Sequence, residues 1–278
     1  MEFSRFHIQE QGATLAEFML LPAARLVAER ALVEVAKGYE TNPPCRTPMN
    51  RVGFQHRQIQ FRSDECVAYF YSGTAAFAQS MTPSLNTLLQ IVNKETGASY
   101  NAALINKYVP EDYISQHSDS EEGLDKKAGV FMISLGAPRS FRITRATSKV
   151  EEVASVRTEH CQALQMRGEK FQQRFKHGVA AEKKALGERT SITFRVHDPS
   201  KDAKQMAAYE KGIVAKYRRD LRSAQASASE QLPPRVEAVI DHAVALNTIP
   251  LADPKVPLDE PGVKKRKLED NRATNSTQ

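Results

Sequence analysis

The chain has 278 residues, enough for one large domain with an extension and for a substantial core. With 41% hydrophobic and 26% charged residues it has the composition of an ordinary globular protein, and a net charge of +6 tilts the expected partner toward a polyanion. Three widely spaced cysteines, Cys45, Cys66 and Cys161, argue against a disulfide framework or a zinc cluster, no apolar run approaches the roughly 18 residues that a membrane span needs, and Glu2 stands where a signal peptide would be apolar. The expectation is a soluble intracellular protein with no membrane partner.

Pro22 to Lys37 opens on proline, carries Leu26, Leu32, Val33 and Val35 among its apolar positions and is followed by Gly38, which predicts a helix. Gln58–Arg62 and Cys66–Tyr71 read as short strands, the second ending at a Ser72-Gly73 turn. A second helix opens at Thr82-Pro83, places Leu85, Leu88, Leu89 and Val92 on one face and stops before Gly97. From about residue 100 to 197 the pattern changes to β-prone runs at Ala103 to Val109, Val130 to Leu135, Ser140 to Thr144, Ala163 to Met166 and Ser191 to Val196. Many short strands with irregular links predict a mainly β fold with flanking helices, either closed or double-sheeted like a jelly roll. The charged stretch from Thr147 to His160 reads as a surface lid or loop.

Beyond His197 the chain is rich in Lys, Ala, Gln and Ser through about residue 232, then carries Pro233-Pro234, a helical stretch to Leu246 and a polar end. Helical propensity is high and the apolar face is thin, so a loosely attached helix and a disordered tail are expected. Lys264-Lys265-Arg266-Lys267 has the form of a nuclear import signal, and a solvated basic tail is its plainer reading.

The last β-prone run has inverted polarity. Arg189, Ser191, Thr193 and Arg195 fall on one strand face, and Thr190, Ile192, Phe194 and Val196 on the other. A solvent face explains this pattern, and so does a cavity in which two arginines supply fixed charge to a dicarboxylic 2-oxo acid. His117 and Asp119 are one residue apart, which on a strand or strand end directs both side chains to one face. In a chain with seven histidines that pair is weak by itself. His177, in a Phe-Lys-His-Gly turn, is remote in sequence, as a third ligand from a neighbouring strand would be, although alone it reads as a surface histidine. Two histidines and one carboxylate are the facial triad that holds Fe(II) and leaves three positions open.

In order along the chain stand Leu104-Ile-Asn106-Lys-Tyr108, His117-Ser-Asp119, Ser134-Leu-Gly136 with Arg139-x-Phe141, then Met166-x-Gly168, Gln172, Phe175 and His177, and finally Arg189-x-Ser191-x-Thr193-Phe-Arg195. This series, from about Arg46 to Arg195, resembles the AlkB-like family of Fe(II)/2-oxoglutarate dioxygenases. The resemblance implies a double-stranded β-helix with His117, Asp119 and His177 on iron, and with Asn106, Tyr108, Arg189, Ser191, Thr193 and Arg195 around 2-oxoglutarate. Dioxygen would be the co-reactant. With it, residues 1–99 are expected as N-terminal helices and substrate-recognition strands packed on a 100–198 core, and the composition beyond that core places a helical extension over 199–250 and a disordered basic tail over 251–278.

The activity so implied is oxidative demethylation of N-alkylated bases of the 1-methyladenine and 3-methylcytosine type, with release of formaldehyde. The base must be flipped or taken from a single strand. Tyr69, Phe70 and Tyr71 stand where the family's substrate-contacting segment falls, Tyr69 and Tyr71 on one strand face, with cross-strand packing as the alternative. Glu121 matches an acidic position that contacts the base, where a carboxylate favours cationic lesions. Arg46, Arg51, Arg139, Arg142 and Arg145 are candidate phosphate contacts. Ala180 and Ser191 depart from the family's usual Pro and Asn, which touches substrate choice more than chemistry. DNA is the favoured partner, the nucleus the expected location and a monomer the expected state. The same chemistry on RNA or protein, action in the cytoplasm, and a catalytically silent nucleic-acid binder are the alternatives.

Overall fold

A computed structural model describes residues 7–10, 13–20, 24–46, 52–147, 151–184 and 187–226. Strands β1 (His7–Glu10) and β2 (Ala13–Leu20) precede helix α1 (Arg25–Glu34). Strands β3 (Glu40–Thr41), β4 (Pro44–Arg46), β5 (Val52–Phe54), β6 (Gln58–Arg62), β7 (Ala68–Tyr71) and β8 (Thr74–Gln79) lead to α2 (Pro83–Thr96). Next come β9 (Ala102–Tyr108), β10 (Ile114–His117), β11 (Val130–Gly136), β12 (Ser140–Arg145), β13 (Glu152–Arg157) and β14 (Gln162–Met166). Helix α3 (Gly168–Arg174) runs directly into β15 (Phe175–Val179), and β16 (Arg189–Arg195) is followed by α4 (Pro199–Ala226).

From β9 onward the chain shuttles between two sheets. The larger has the order β1-β2-β14-β11-β16-β9-β6-β8-β7 with β3 added beside β6, and the smaller has the order β10-β15-β12-β13. Antiparallel strands exchanged in this way between facing sheets make a jelly roll. Residues of both sheets meet inside it, Met132 and Leu164 from the larger with Phe141, Ile143 and Val179 from the smaller.

The larger sheet turns its other face to the helices. Ala103, Ile105, Ile133, Ile192 and Phe194 are buried there together with Leu85, Leu88, Leu89 and Val92 of α2. Each of the Leu, Ile, Val and Phe side chains among them contributes roughly 1.5–3 kcal/mol of transfer free energy. Helix α2 starts and stops as its sequence predicts: the Thr82 hydroxyl accepts from the Leu85 amide, and Gly97 adopts φ 69°. Helix α1 also forms where expected. Its buried stripe is Ala24, Ala28, Ala31 and Val35, while Leu26 and Val33 are 68% and 76% exposed. Small residues let α1 lie close against its neighbours, Val27 and Leu32 pack at the edge of the contact, and Leu26 and Val33 point outward.

Other differences have local causes. The stretch expected as a lid contains β13, an edge strand paired with β12, because Val153, Ala154 and Val156 give it an apolar share amid its charges. His177 lies in β15 and not in a turn, and β1, β2, β10 and α3 are elements that the sequence reading did not foresee. The first turns of α4 are held more firmly than their thin apolar face suggests. Asp202 is 1% exposed, and Tyr209 sets its ring edge-on against Phe70 and Phe77 at 6.0 and 6.3 Å. The tail expected to be disordered, including Lys264 to Lys267, lies outside the described residues. No described helix is long and apolar enough to cross a membrane.

Candidate active site

A cavity of about 710 Å³ opens between the sheets, with His117, Phe141 and His177 on one wall and Asn106, Ser191 and Thr193 on the other. The antiparallel register of β10 and β15 sets His117 opposite His177, and the two rings lie 4.4 Å apart. Asp119 follows just past the end of β10. Its Oδ1 is 3.9 Å from His117 Nε2 and its Oδ2 is 3.6 Å from His177 Nε2. Each residue offers a ligand atom within 4.8 Å of the other two.

Local structure holds this arrangement. Gly178 lets β10 approach closely, since a Cβ there would stand 2.6 Å from the Ile114 carbonyl oxygen. The Ser115 carbonyl engages His117 Nδ1 at 2.9 Å, so Nε2 is turned toward Asp119. Gln172 Oε1 accepts from the Asp119 amide at 2.8 Å, and Ser118 donates to the Phe175 carbonyl at 2.9 Å.

The electrostatics suit a cation. Burial pushes both imidazoles down, His177 to about 3 with help from His117, so both are neutral ligands near neutral pH. Burial works to raise the Asp119 carboxyl, but Arg195 foremost, then His177 and His117, hold it well below the usual carboxylate range. Asp119 Oδ2 is buried with no hydrogen-bond partner among the described residues. Two neutral nitrogens and an unsatisfied carboxylate oxygen fit Fe(II).

Strand β16 forms the opposite wall and is buried along its whole length. Its register pairs Arg189 with Tyr108 and Ser191 with Asn106 on β9, and Ser191 with Ser134 and Thr193 with Met132 on β11. The polar face therefore looks inward while Ile192 and Phe194 look toward the helices. Arg189 is 0% exposed. Its Nε donates to Ser134 Oγ at 2.9 Å, its guanidinium lies 5.3 Å from the Tyr108 ring centre, and its Nη1 has no partner among the described residues. Burial lowers its pKa. A guanidinium enclosed without a carboxylate fits an incoming anion, because isolated it is costly.

Arg195 has different surroundings: Nη2 donates to Asp119 Oδ1 at 2.8 Å and the guanidinium lies 5.4 Å from the Tyr69 ring centre. Tyr69 and Tyr71 stack at 4.9 Å and both line the cavity, while Phe70 turns the other way toward Tyr209. Glu121 also lines the cavity, and burial, then Asp119, raises its pKa.

Of the candidate phosphate contacts, Arg139 is corrected by the structure. It is 0% exposed and donates to the Val109 and Gly187 carbonyls, so it braces loops inside the fold. Arg142 and Arg145 pair on the surface with Glu152 and Glu151. Arg51 and the Arg46 side chain lie outside the described residues. Sequence reading missed Arg57, 7% exposed, whose Nε donates to Asn106 Oδ1 at 2.8 Å. It also missed His56 and Tyr113, stacked at 4.5 Å on the cavity lining. No motif marks these three, since each acts through a contact between distant segments.

A model of the 2OG-Fe(II) oxygenase superfamily matches residues 18–195. The chain belongs to that superfamily. Within it the oxygenase is AlkB-like: it is 30% identical over 198 residues to the human protein named DNA oxidative demethylase ALKBH2, covering 68% of this chain and 75% of that one. It is likewise 30% identical over 125 residues to human alpha-ketoglutarate-dependent dioxygenase alkB homolog 3, covering 42% and 43%. The solved structure of OsALKBH1 aligns with a TM-score of 0.45 at 14% identity, over 69% of this chain and 100% of that one. The enzyme is a dioxygenase, and its cofactor and cosubstrates are Fe(II), 2-oxoglutarate and dioxygen.

Proposed function

We propose that this oxygenase demethylates N-alkylated bases in DNA, with 1-methyladenine and 3-methylcytosine as the type substrates. The observation that carries the reading is one cavity shared by the His117, Asp119 and His177 cluster, the stacked pair Tyr69 and Tyr71, and the carboxylate of Glu121. The human relative's name, DNA oxidative demethylase, supports DNA as the polymer.

In this reading His117, Asp119 and His177 hold Fe(II), and Arg195 orients the Asp119 carboxylate. Asn106, Tyr108, Arg189, Ser191, Thr193 and Arg195 surround 2-oxoglutarate, with the unpartnered Nη1 of Arg189 as the seat of its distal carboxylate. Together with 2-oxoglutarate and dioxygen, bound iron supplies the oxidising power to hydroxylate the N-methyl carbon. The resulting hemiaminal collapses to formaldehyde and the unmodified base. Tyr69 and Tyr71 hold the flipped base by stacking, and Glu121 favours a cationic one. Residues 1–99 supply the strands that recognise substrate, and Lys264 to Lys267 direct the protein to the nucleus.

The test is formaldehyde release by the purified chain with Fe(II), 2-oxoglutarate and ascorbate, on matched single- and double-stranded DNA and RNA oligonucleotides carrying either lesion. The expected result is release that requires both iron and cosubstrate and is greatest on DNA. Consumption of 2-oxoglutarate without repair of any oligonucleotide would overturn the substrate assignment, and a preference for RNA would overturn the polymer.

A further inference from the structure

Behind the stacked tyrosines lies a second buried cluster that the demethylation chemistry does not use. Cys66 precedes β7, His197 follows β16 and Asp202 sits in the first turns of α4; they are 6%, 3% and 1% exposed. Their ligand atoms all lie within 4.8 Å of one another. His197 Nδ1 stands 3.4 Å from Asp202 Oδ2, yet neither atom makes a hydrogen bond with any described residue. We propose that Cys66, His197 and Asp202 bind a structural Zn(II) ion that ties α4 to the strands behind Tyr69.

Three arguments support the site. The ligands are held by the fold: the His197 amide donates to Asn101 Oδ1 at 2.8 Å, the Cys66 amide donates to Ser63 Oγ at 3.1 Å, and Asp202 Oδ1 lies so close to Gly123 that no Cβ fits there. Tetrahedral zinc with bonds of about 2.0–2.3 Å spaces its ligands roughly 3.5 Å apart, so the His197 and Asp202 atoms already stand at chelating separation, and a neutral water would complete the set of four. The charges also close. A thiolate, a carboxylate and a neutral imidazole around Zn(II) sum to zero, which resolves an aspartate oxygen buried without a donor. The chain spacing gives little hint of such a site, because Cys66 is remote in sequence from His197 and Asp202.

The site would stiffen the wall that receives the base. The His197 ring lies between Phe61 at 5.1 Å and Tyr69 at 5.4 Å, edge-on to the latter. The alternative is a His197–Asp202 ion pair beside a spectator thiol, which needs no metal.

The experiment uses the full chain carrying His117→Ala and His177→Ala, which disables the iron centre, loaded with Zn(II) or Co(II) and dialysed. Elemental analysis should find about one equivalent of zinc. The cobalt form should show a thiolate-to-metal charge-transfer band that is lost, together with the metal, in the further Cys66→Ser variant. Chelator should lower the melting temperature only where Cys66 is intact. If Cys66→Ser does not fold, the cobalt band and zinc content of the Cys66 chain decide, with Asp202→Asn as second variant. Absence of stoichiometric metal, or equal metal content without Cys66, overturns the proposal, and neither result bears on demethylation.

Discussion

At one end of β16 Arg189 is sealed against Tyr108 and Ser134 with no carboxylate in reach, whereas at the other Arg195 is bonded to Asp119 and lies over Tyr69. The residue type, strand face and depth of burial are the same. What differs is whether the protein supplies the counter-charge. Where it does, the arginine serves its own carboxylate and sets the angle at which Asp119 faces the histidines. Where it does not, the positive charge is left to an anion from outside, which suits the distal carboxylate of 2-oxoglutarate.

The largest expected effects test the Asp119 end. His117→Ala should abolish 2-oxoglutarate turnover and leave the melting temperature of the metal-free protein nearly unchanged. Asp119→Ala should abolish turnover as well and also strand Arg195 as an unpaired buried charge. That costs about 3–5 kcal/mol, or roughly 10 °C in a chain of this size. Equal melting temperatures for the two metal-free variants would break the pairing assigned to Arg195. Next in size, Arg189→Met should raise the KM for 2-oxoglutarate by roughly two orders of magnitude, from the 2–5 kcal/mol typical of truncating one partner of a buried charge pair. Its iron affinity, measured by titration, should hold. If Arg195→Met raises KM as much while iron affinity also holds, the two ends are alike and the distinction falls.

The division between what the sequence announces and what it conceals follows the same strand. The larger sheet is legible because β9, β11, β14 and β16 each turn an apolar face to the helices, and β6 buries Ile59 and Phe61 on its opposite face, so all five stand within a few residues of expectation. Alternation in β16 marks an inward polar face, and the spacing of His117 and Asp119 survives as geometry. The smaller sheet is less legible. β10 is short, with a bulge between Ile114 and His117, and β15 follows α3 without a break, so no period accumulates in either. Helix α1 is found where expected, but which of its apolar residues form the contact face is not legible, because alanines carry most of it. Arg189 and Arg195 cannot be told apart in sequence at all, since the difference between them rests on which distant side chain reaches each one.

Two smaller effects sharpen the contrast. Glu121→Gln, near the Arg195 end, should reduce preference for cationic 1-methyladenine over neutral 3-methylthymine by roughly tenfold, equivalent to about 1.4 kcal/mol, with the KM for 2-oxoglutarate unchanged. Competition between the two lesions in one reaction reads this directly, and an unchanged ratio would remove Glu121 from base selection. Ser134→Ala, at the Arg189 end, deletes the acceptor for Nε and leaves the guanidinium held by the Tyr108 ring and the Met132 sulfur. A net hydrogen bond of about 1 kcal/mol corresponds to a roughly fivefold rise in the KM for 2-oxoglutarate. Lesion preference should not move, because Ser134 touches nothing on the Tyr69 side. A change in lesion preference with no change in KM would mean that Arg189 acts on the base and not on the cosubstrate, and the two ends of β16 would exchange roles.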